Sequence, residues 1–253
     1  MVLTVDIGNT NITLGVYCER ELKLVARIKT DAKKTADEYA ADLKNITALY
    51  GITEKFDGVI IGSVVPALST AFKRAVQRLY GIEAVVVGPG VKTGLNIKVE
   101  NPAQLGADLV AGAVGALKKY KMPCIMIDMG TATTVFALNG KGEFVGGAIA
   151  AGLSSTLDAL TSHTAALPSV PVEPPAKAIG TETVKCMQSG LVFGTAAMID
   201  GLVKRMEQEL GAPASLVATG GKAEQIVKYC EHQITVDDDL VLSGLLEIYY
   251  LNK

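Results

Sequence analysis

Two acidic turns carry the densest chemical information in the sequence. Val2-Leu3-Thr4-Val5-Asp6-Ile7-Gly8-Asn9-Thr10-Asn11 and Cys124-Ile125-Met126-Ile127-Asp128-Met129-Gly130-Thr131-Ala132-Thr133 have the same plan. Each runs an apolar segment too short for a helix into a carboxylate, places a glycine two residues later, and continues with hydroxyl or amide side chains. Apolar stretches then lead away from both, over Ile12–Tyr17 and Val135–Leu138. The unit is therefore strand, phosphate-sized turn, strand. An ordinary hairpin also turns on Asp, Asn and Gly, so one copy alone says little. Recurrence at the start of two similar halves says more, and Leu216-Val217-Ala218-Thr219-Gly220-Gly221 again runs an apolar strand into glycines. Together the three turns point to a nucleotide held between two lobes, with Asp6 and Asp128 facing its polyphosphate. Carboxylates beside phosphates require a cation between them, so Mg²⁺ is implied by charge.

The elements that must position these turns can be read from periodicity. Ala36, Tyr39, Ala40, Leu43, Ile46 and Leu49 recur at helical spacing within a helix predicted over Asp31–Tyr50, ended by Gly51. A strand over Gly58–Ser63, a helix over Pro66–Tyr80 and a short strand over Ala84–Val87 follow. The next helix, Ala103–Tyr120, is rich in small residues (Ala107, Ala111, Gly112, Ala113, Gly115, Ala116). Glycine in a helix interior costs about 1 kcal/mol relative to alanine, so close packing against another backbone is expected there, with the helix placed between the lobes. In the second half come a hairpin over Cys124–Leu138 with an Asn139-Gly140 turn and a strand over Glu143–Gly147. A glycine-flanked entry, Gly146–Gly152, leads into a helix ending near Leu160. Pro168, Pro171, Pro174 and Pro175 mark an irregular connector over Ala166–Ala178. A long helix over Thr183–Leu210 has a small-residue face at Ser189, Gly190 and Gly194, suited to intramolecular packing or to a dimer seam, and an apolar helix over Asp239–Tyr250 closes the chain. Alternating strands and helices give an α/β class in two lobes, set at 1–115 and 116–253.

Composition fits an enzyme with a sizeable core. Of 253 residues 49% are hydrophobic and 20% charged, which argues against disorder. The net charge of −2 gives no global electrostatic ground for nucleic acid or an anionic membrane as partner. No basic region followed by an apolar core precedes the first strand, so a cytoplasmic location is expected. Cys18, Cys124, Cys186 and Cys230 lie far apart without Cys-x-x-Cys spacing, as free thiols do. His163 and His232 are the only histidines, which leaves little material for a Ser-His-Asp or Cys-His nucleophile.

In this order the motifs resemble the type III pantothenate kinases, members of the superfamily of acetate and sugar kinases, Hsp70 and actin. The resemblance covers essentially the whole chain. It rests on Asp6–Asn11, Lys92-Thr93-Gly94-Leu95-Asn96-Ile97, Gly106-Ala107-Asp108, Asp128–Thr133, Gly146-Gly147-Ala148-Ile149, Thr164-Ala165-Ala166-Leu167-Pro168 and Met187-Gln188-Ser189-Gly190-Leu191. It implies two ribonuclease H-like lobes with the active site in the cleft between them, and transfer of the γ-phosphoryl of ATP to the primary hydroxyl of pantothenate. Asp6, Ile7, Gly8, Asn9, Thr10, Asn11, Ile12 and Thr13 would form the first phosphate loop, with Asp6 near Mg²⁺. Thr131 would touch the phosphates, and Asp128 would hold a monovalent cation such as K⁺ or NH₄⁺. Thr183, Gly106, Ala107, Leu109 and Val99 would line the acceptor pocket. Asp108 would be the general base, as a primary alcohol at neutral pH requires, although without the resemblance the residue reads as a plain helix-surface aspartate in preference. The family is also expected to form homodimers.

The sequence departs from the family pattern on the acceptor side. The arginine of Gly-x-Asp-Arg is Leu109, the tyrosine before Glu-Asn-Pro is Val99, the proline of the Gly-Gly-x-Ile-x-Pro-Gly turn is Ala151, and the asparagine before Thr183 is Glu182. Arginine grips carboxylates and tyrosine hydrogen-bonds them, so an acidic acceptor loses two natural partners. Two alternatives therefore stay open beside a pantothenate kinase. One is a related kinase acting on a less anionic alcohol, and the other a nucleotide-binding regulator without catalysis.

Overall fold

The computed structural model describes residues 1–164 and 166–253; Ala165, within the Thr164–Pro168 motif, lies outside the described residues. The first elements are β1 (Val2–Ile7), β2 (Asn11–Cys18), β3 (Glu21–Lys29), α1 (Ala36–Leu49), β4 (Gly58–Ser63), α2 (Pro66–Tyr80), β5 (Val85–Val86) and β6 (Asn96–Ile97). After a 3-10 turn at Pro102–Gln104 come α3 (Ala107–Lys119), β7 (Cys124–Met129), β8 (Ala132–Leu138), β9 (Glu143–Ala151), α4 (Leu153–Ser162) and α5 (Thr183–Leu210). The chain ends with β10 (Ser215–Thr219), α6 (Ala223–Val227), β11 (Thr235–Val236) and α7 (Leu240–Leu251).

Two compact units result. One comprises Met1–Leu95, Glu100–Lys118 and Asp239–Lys253, the other Asn96–Val99 and Lys119–Asp238. Sequence reading divided the chain once, at 115/116, and left the last helix with the second half. Instead α7 belongs with the N-terminal strands, where Leu245 meets Gly62 of β4 and Leu242 meets Gly15 of β2. A linear boundary cannot capture a terminal helix that returns to the first sheet.

The first unit's sheet has the order β3-β2-β1-β4-β5, and the second unit's has β11-β10-β7-β8-β9-β6. Read outward from β1 and from β7, the two share one plan. Each opening strand pairs antiparallel with its hairpin partner on one side and parallel with a later strand on the other. This duplicated arrangement is the ribonuclease H-like fold that the motifs implied. The missed element is β3: Leu22, Leu24, Ala26 and Ile28 alternate toward the core, a period-two signal that was there to be read. Ala148–Ala151, read as the approach to a helix, instead completes β9, because Ala148 and Ala150 pair with Val135 and Thr133.

Each unit has its own core. In the first, Leu3, Val5, Ile7, Ile12 and Leu14 pack with Tyr39, Leu43, Leu68 and Phe72 of α1 and α2. Phe72 is fully buried, worth about 1.5–3 kcal/mol for a side chain of this kind. α1 starts at Thr35, not near Asp31, because Thr35 and Glu38 form a reciprocal capping box. In the second unit α5 supplies Met187, Leu191, Val192, Ala196, Ile199 and Val203. Among the described residues α5 is the one helix long and apolar enough to cross a membrane, and 39% of its apolar 18-residue stretch is buried within the unit. A β-carbon at Gly190 or Gly194 would meet no atom within 4 Å among the described residues, whereas Ser189 of the same face donates its hydroxyl to the Ala178 carbonyl at 2.6 Å.

Candidate active site

The first acidic turn sits at the carboxyl end of β1. Asp6 is half-buried, opposite Thr13 on β2 and Gly62 on β4. Gly8 closes the turn by donating its N–H to the Asn11 carbonyl at 3.0 Å, and a β-carbon on Gly8 would lie 3.0 Å from that oxygen. Beyond the turn, Thr30 donates its hydroxyl to the Gly8 carbonyl at 2.7 Å and its N–H to the Thr10 carbonyl at 3.0 Å. Asn9, Thr10 and Asn11 stay exposed. An open turn at the carboxyl ends of parallel strands is where α/β sheets bind ligands.

Asp108 is brought to the same end of this sheet. It lies in the first turn of α3, whose Gly106 carbonyl accepts the Val110 N–H at 3.1 Å. Gly62, the β4 partner of Asp6, has Ala107 as its neighbour at 3.9 Å from where its β-carbon would be. The glycine of the Gly-x-Asp motif has a steric reason: any β-carbon on Gly106 would collide with Asp108 Oδ1. That oxygen accepts the Leu109 N–H at 2.7 Å. Burial pushes the Asp108 carboxyl above its ordinary range, against the opposing pull of the Leu109 N–H and its own N–H. A carboxylate so placed is more basic than an exposed one, as a proton acceptor needs.

The second acidic turn repeats the first, one residue shorter. Asp128 lies one residue before the end of β7, opposite Thr134 on β8 and Thr219 on β10, and Gly130 donates its N–H to the Ala132 carbonyl at 3.0 Å. The third glycine turn lies directly beside it. Gly220 has φ +94°, and a β-carbon there would lie 2.5 Å from Asp128 Oδ1. Only glycine lets that backbone approach the carboxylate so closely. The start of α4 supports Thr131 from beneath: its carbonyl accepts the Gly152 N–H at 3.1 Å and the Ser155 hydroxyl at 2.8 Å.

The remaining acceptor-side candidates are more dispersed. Leu109 follows Asp108 on α3 in the first unit, whereas Val99 follows β6 in the second, near Gly146 of β9. Thr183 opens α5 and is exposed. Gly220 and Thr30 were not among the predicted site residues. Gly220 was signalled by its own turn, and Thr30 was lost with β3.

The fit of cations follows from donor chemistry. No group of three or more His, Cys, Asp or Glu side chains is arranged around a metal among the described residues. If phosphates lie at the Asp6 turn, its carboxylate would suit Mg²⁺, which keeps waters and shares phosphate oxygens instead of taking a full protein cage. Asp128 carries the carboxylate oxygens that a monovalent cation would take, with the Gly220 backbone pressed against them. Thiol chemistry has no footing at Cys124 and Cys230, because burial pushes both up to about 12. His232 is instead engaged by Asp200, 2.6 Å from its Nδ1.

The type III pantothenate kinase family model matches residues 2–205. A type III pantothenate kinase from Moorella thermoacetica (strain ATCC 39073 / JCM 9320) is 42% identical over 253 residues, covering 100% of both chains. The chain belongs to the type III pantothenate kinase family. Solved structures extend the fold further. A Campylobacter jejuni protein named for the Baf family of transcriptional activators superposes with a TM-score of 0.64 at 18% identity, over 99% of this chain and 98% of that one. The activator of the 2-hydroxyisocaproyl-CoA dehydratase from Clostridium difficile, with ADPNP bound, gives 0.55 at 15% identity, over 99% and 94%. At these identities the likeness is one of fold. Two glycines of this type III pantothenate kinase family member have local reasons: a β-carbon on Gly106 would collide with Asp108 Oδ1, and one on Gly220 with Asp128 Oδ1.

Proposed function

We propose that the protein is an ATP-dependent pantothenate kinase that forms 4'-phosphopantothenate, the first step of coenzyme A biosynthesis, in the cytoplasm. The observation that carries this reading is full-length family membership combined with Asp6 and Asp108 at one end of the same sheet. The nucleotide's phosphates lie on the Asp6–Thr13 turn and at Thr131. Bound Mg²⁺ at Asp6 supplies charge neutralisation for the phosphates, and K⁺ or NH₄⁺ is held at Asp128. Val99, Gly106, Ala107, Leu109 and Thr183 border the acceptor. Asp108 takes the proton of the acceptor's primary hydroxyl as its oxygen bonds to the γ-phosphorus, while the bond from that phosphorus to the bridging oxygen breaks and ADP leaves. Family expectation also makes the protein a homodimer, and the open glycine face of α5 is a surface suited to a second helix.

The test is ADP release with Mg²⁺-ATP and K⁺ against pantothenate and a panel of uncharged primary alcohols, with the product identified by mass. Pantothenate gaining one phosphoryl group is the expected result. Turnover confined to an uncharged alcohol would move the assignment to the related-kinase alternative that Val99 and Leu109 motivate. Nucleotide binding without turnover of any alcohol would leave the regulator.

A further inference from the structure

The first phosphate turn is held from behind by residues that belong to no phosphate motif. Thr30 lies just past β3, whose last residue Lys29 pairs with Asn11. Its two donors take both carbonyls of the turn's far side, Gly8 through the hydroxyl at 2.7 Å and Thr10 through the N–H at 3.0 Å. A trans peptide is planar, with the C=O of one residue pointing opposite to the N–H of the next. Fixing the Gly8 and Thr10 carbonyls on Thr30 therefore turns the Asn9 and Asn11 amides away from it. Successive backbone amides directed outward from a turn are an anion-binding arrangement.

Thr30 is itself braced. The next residue, Asp31, has its carbonyl accepting the Tyr39 hydroxyl at 2.7 Å, and its N–H donates back to that hydroxyl at 3.2 Å. The Asp31 side chain accepts the Lys33 N–H at 2.9 Å. Tyr39 cannot drift, since it is fully buried on α1 with its ring 5.0 Å from that of Phe72. A path of hydrogen bonds, linked by the Thr30–Asp31 peptide bond, thus runs from Tyr39 in the core of the first unit through Asp31 and Thr30 to the turn.

We propose that Thr30, braced by Tyr39, is a positioning residue that aims the Asn9 and Asn11 amides at the nucleotide's phosphates. This rests on the reading that the Asp6–Thr13 turn takes those phosphates. Thr30→Val removes one donor and keeps the side chain's shape. One hydrogen bond of ordinary strength corresponds to about a three- to tenfold rise in the Kd and KM for Mg²⁺-ATP. KM for the alcohol acceptor should stay within about twofold. Thr30→Ser, which restores the donor, should return the nucleotide constants to within about twofold of the parent. Hydrogen exchange at the Gly8–Asn11 amides should quicken in Thr30→Val while β1 and β4 interior amides are unchanged.

A nucleotide Kd in Thr30→Val equal to the parent's overturns the proposal. So does a parallel rise in both KM values that Thr30→Ser fails to reverse, because that marks general loosening. If Thr30→Val does not fold, Tyr39→Phe decides: about a threefold or larger nucleotide-selective effect supports the brace, and none overturns it. Asp6→Ala, measured in parallel, tests the underlying reading. Nucleotide affinity indifferent to Asp6→Ala removes the phosphates from this turn altogether, a result distinct from indifference to Thr30→Val alone.

Discussion

Asp108 joins an activity prediction to a stability prediction of opposite sign. Asp108→Asn is nearly isosteric and can still accept the Leu109 N–H, yet it removes the proposed proton acceptor. Turnover should fall about a hundredfold or more, with the Kd for Mg²⁺-ATP almost unchanged; turnover within a few fold of the parent would sink the assignment. Burial raises the Asp108 pKa, so the folded state disfavours the charged carboxylate. A carboxyl raised in this way contributes its full stability below its unfolded pKa of about 4 and loses it as pH rises through the folded value. The asparagine variant should therefore melt above the parent at pH 7, with the gap shrinking as pH approaches about 4. Thermal melts across that range read it directly, and a variant that melts lower at pH 7 would contradict the burial argument. Asp128 gives a separate residue-scale test. Replacing Na⁺ by K⁺ or NH₄⁺ should raise the parent's activity, and Asp128→Ala should remove that dependence; a parent indifferent to the exchange would remove the monovalent site.

Among the elements, α3 and α7 cross at contacts that only glycine permits. A β-carbon at Gly115 would strike the Leu240 carbonyl, and one at Gly244 would strike the Ala111 carbonyl. Both obstacles are backbone and cannot swing aside, so Gly115→Ala or Gly244→Ala should cost about 1–3 kcal/mol or more by forcing the helices apart. Gly112 is the contrast on the same helix. A β-carbon there would meet only the Val241 side chain, at 3.9 Å, an ordinary contact. Gly112→Ala should be neutral or stabilising by about 0.5–1 kcal/mol, the helix-propensity difference. Denaturant midpoints for the three variants decide the matter, and equal effects at all three positions would deny the close crossing. The small-residue composition of α3 was legible in the sequence as a demand for backbone contact. Its partner was not, because α7 lies at the other end of the chain and only the fold brings Leu240 and Gly244 to it.

For the molecule as a whole, Leu109 belongs to the first compact unit and Val99, with Ala151 and Glu182, to the second. If pantothenate is gripped without the family's tyrosine and arginine, other groups hold its carboxylate and the affinity is modest. In a pocket rebuilt for an uncharged alcohol, Leu109→Arg with Val99→Tyr should improve pantothenate use by about tenfold or more, since a hydrogen bond to a charged group is worth about 1.5–3 kcal/mol. It should also impair the natural acceptor. In an enzyme already built for pantothenate, the double substitution should lower kcat/KM for it. Steady-state kinetics of the double variant with both classes of acceptor distinguishes the two.

The sequence by itself determined what is local. The acidic glycine turns, the strands that deliver Asp6 and Asp128, the Pro66–Tyr80 and Thr183–Leu210 helices and the duplication of the sheet are written in short-range periodicity and turn chemistry. Family membership followed from the same motifs. Tertiary structure alone decided which distant residues meet: α7 returning to the first sheet, Gly220 lying against Asp128, and Thr30 reaching back to Gly8 and Thr10. The physical reason is range. Propensity and patterning act over a few residues and favour each element separately, whereas close backbone approach and hydrogen bonds between distant segments exist only once the sheets have formed and the side chains have packed.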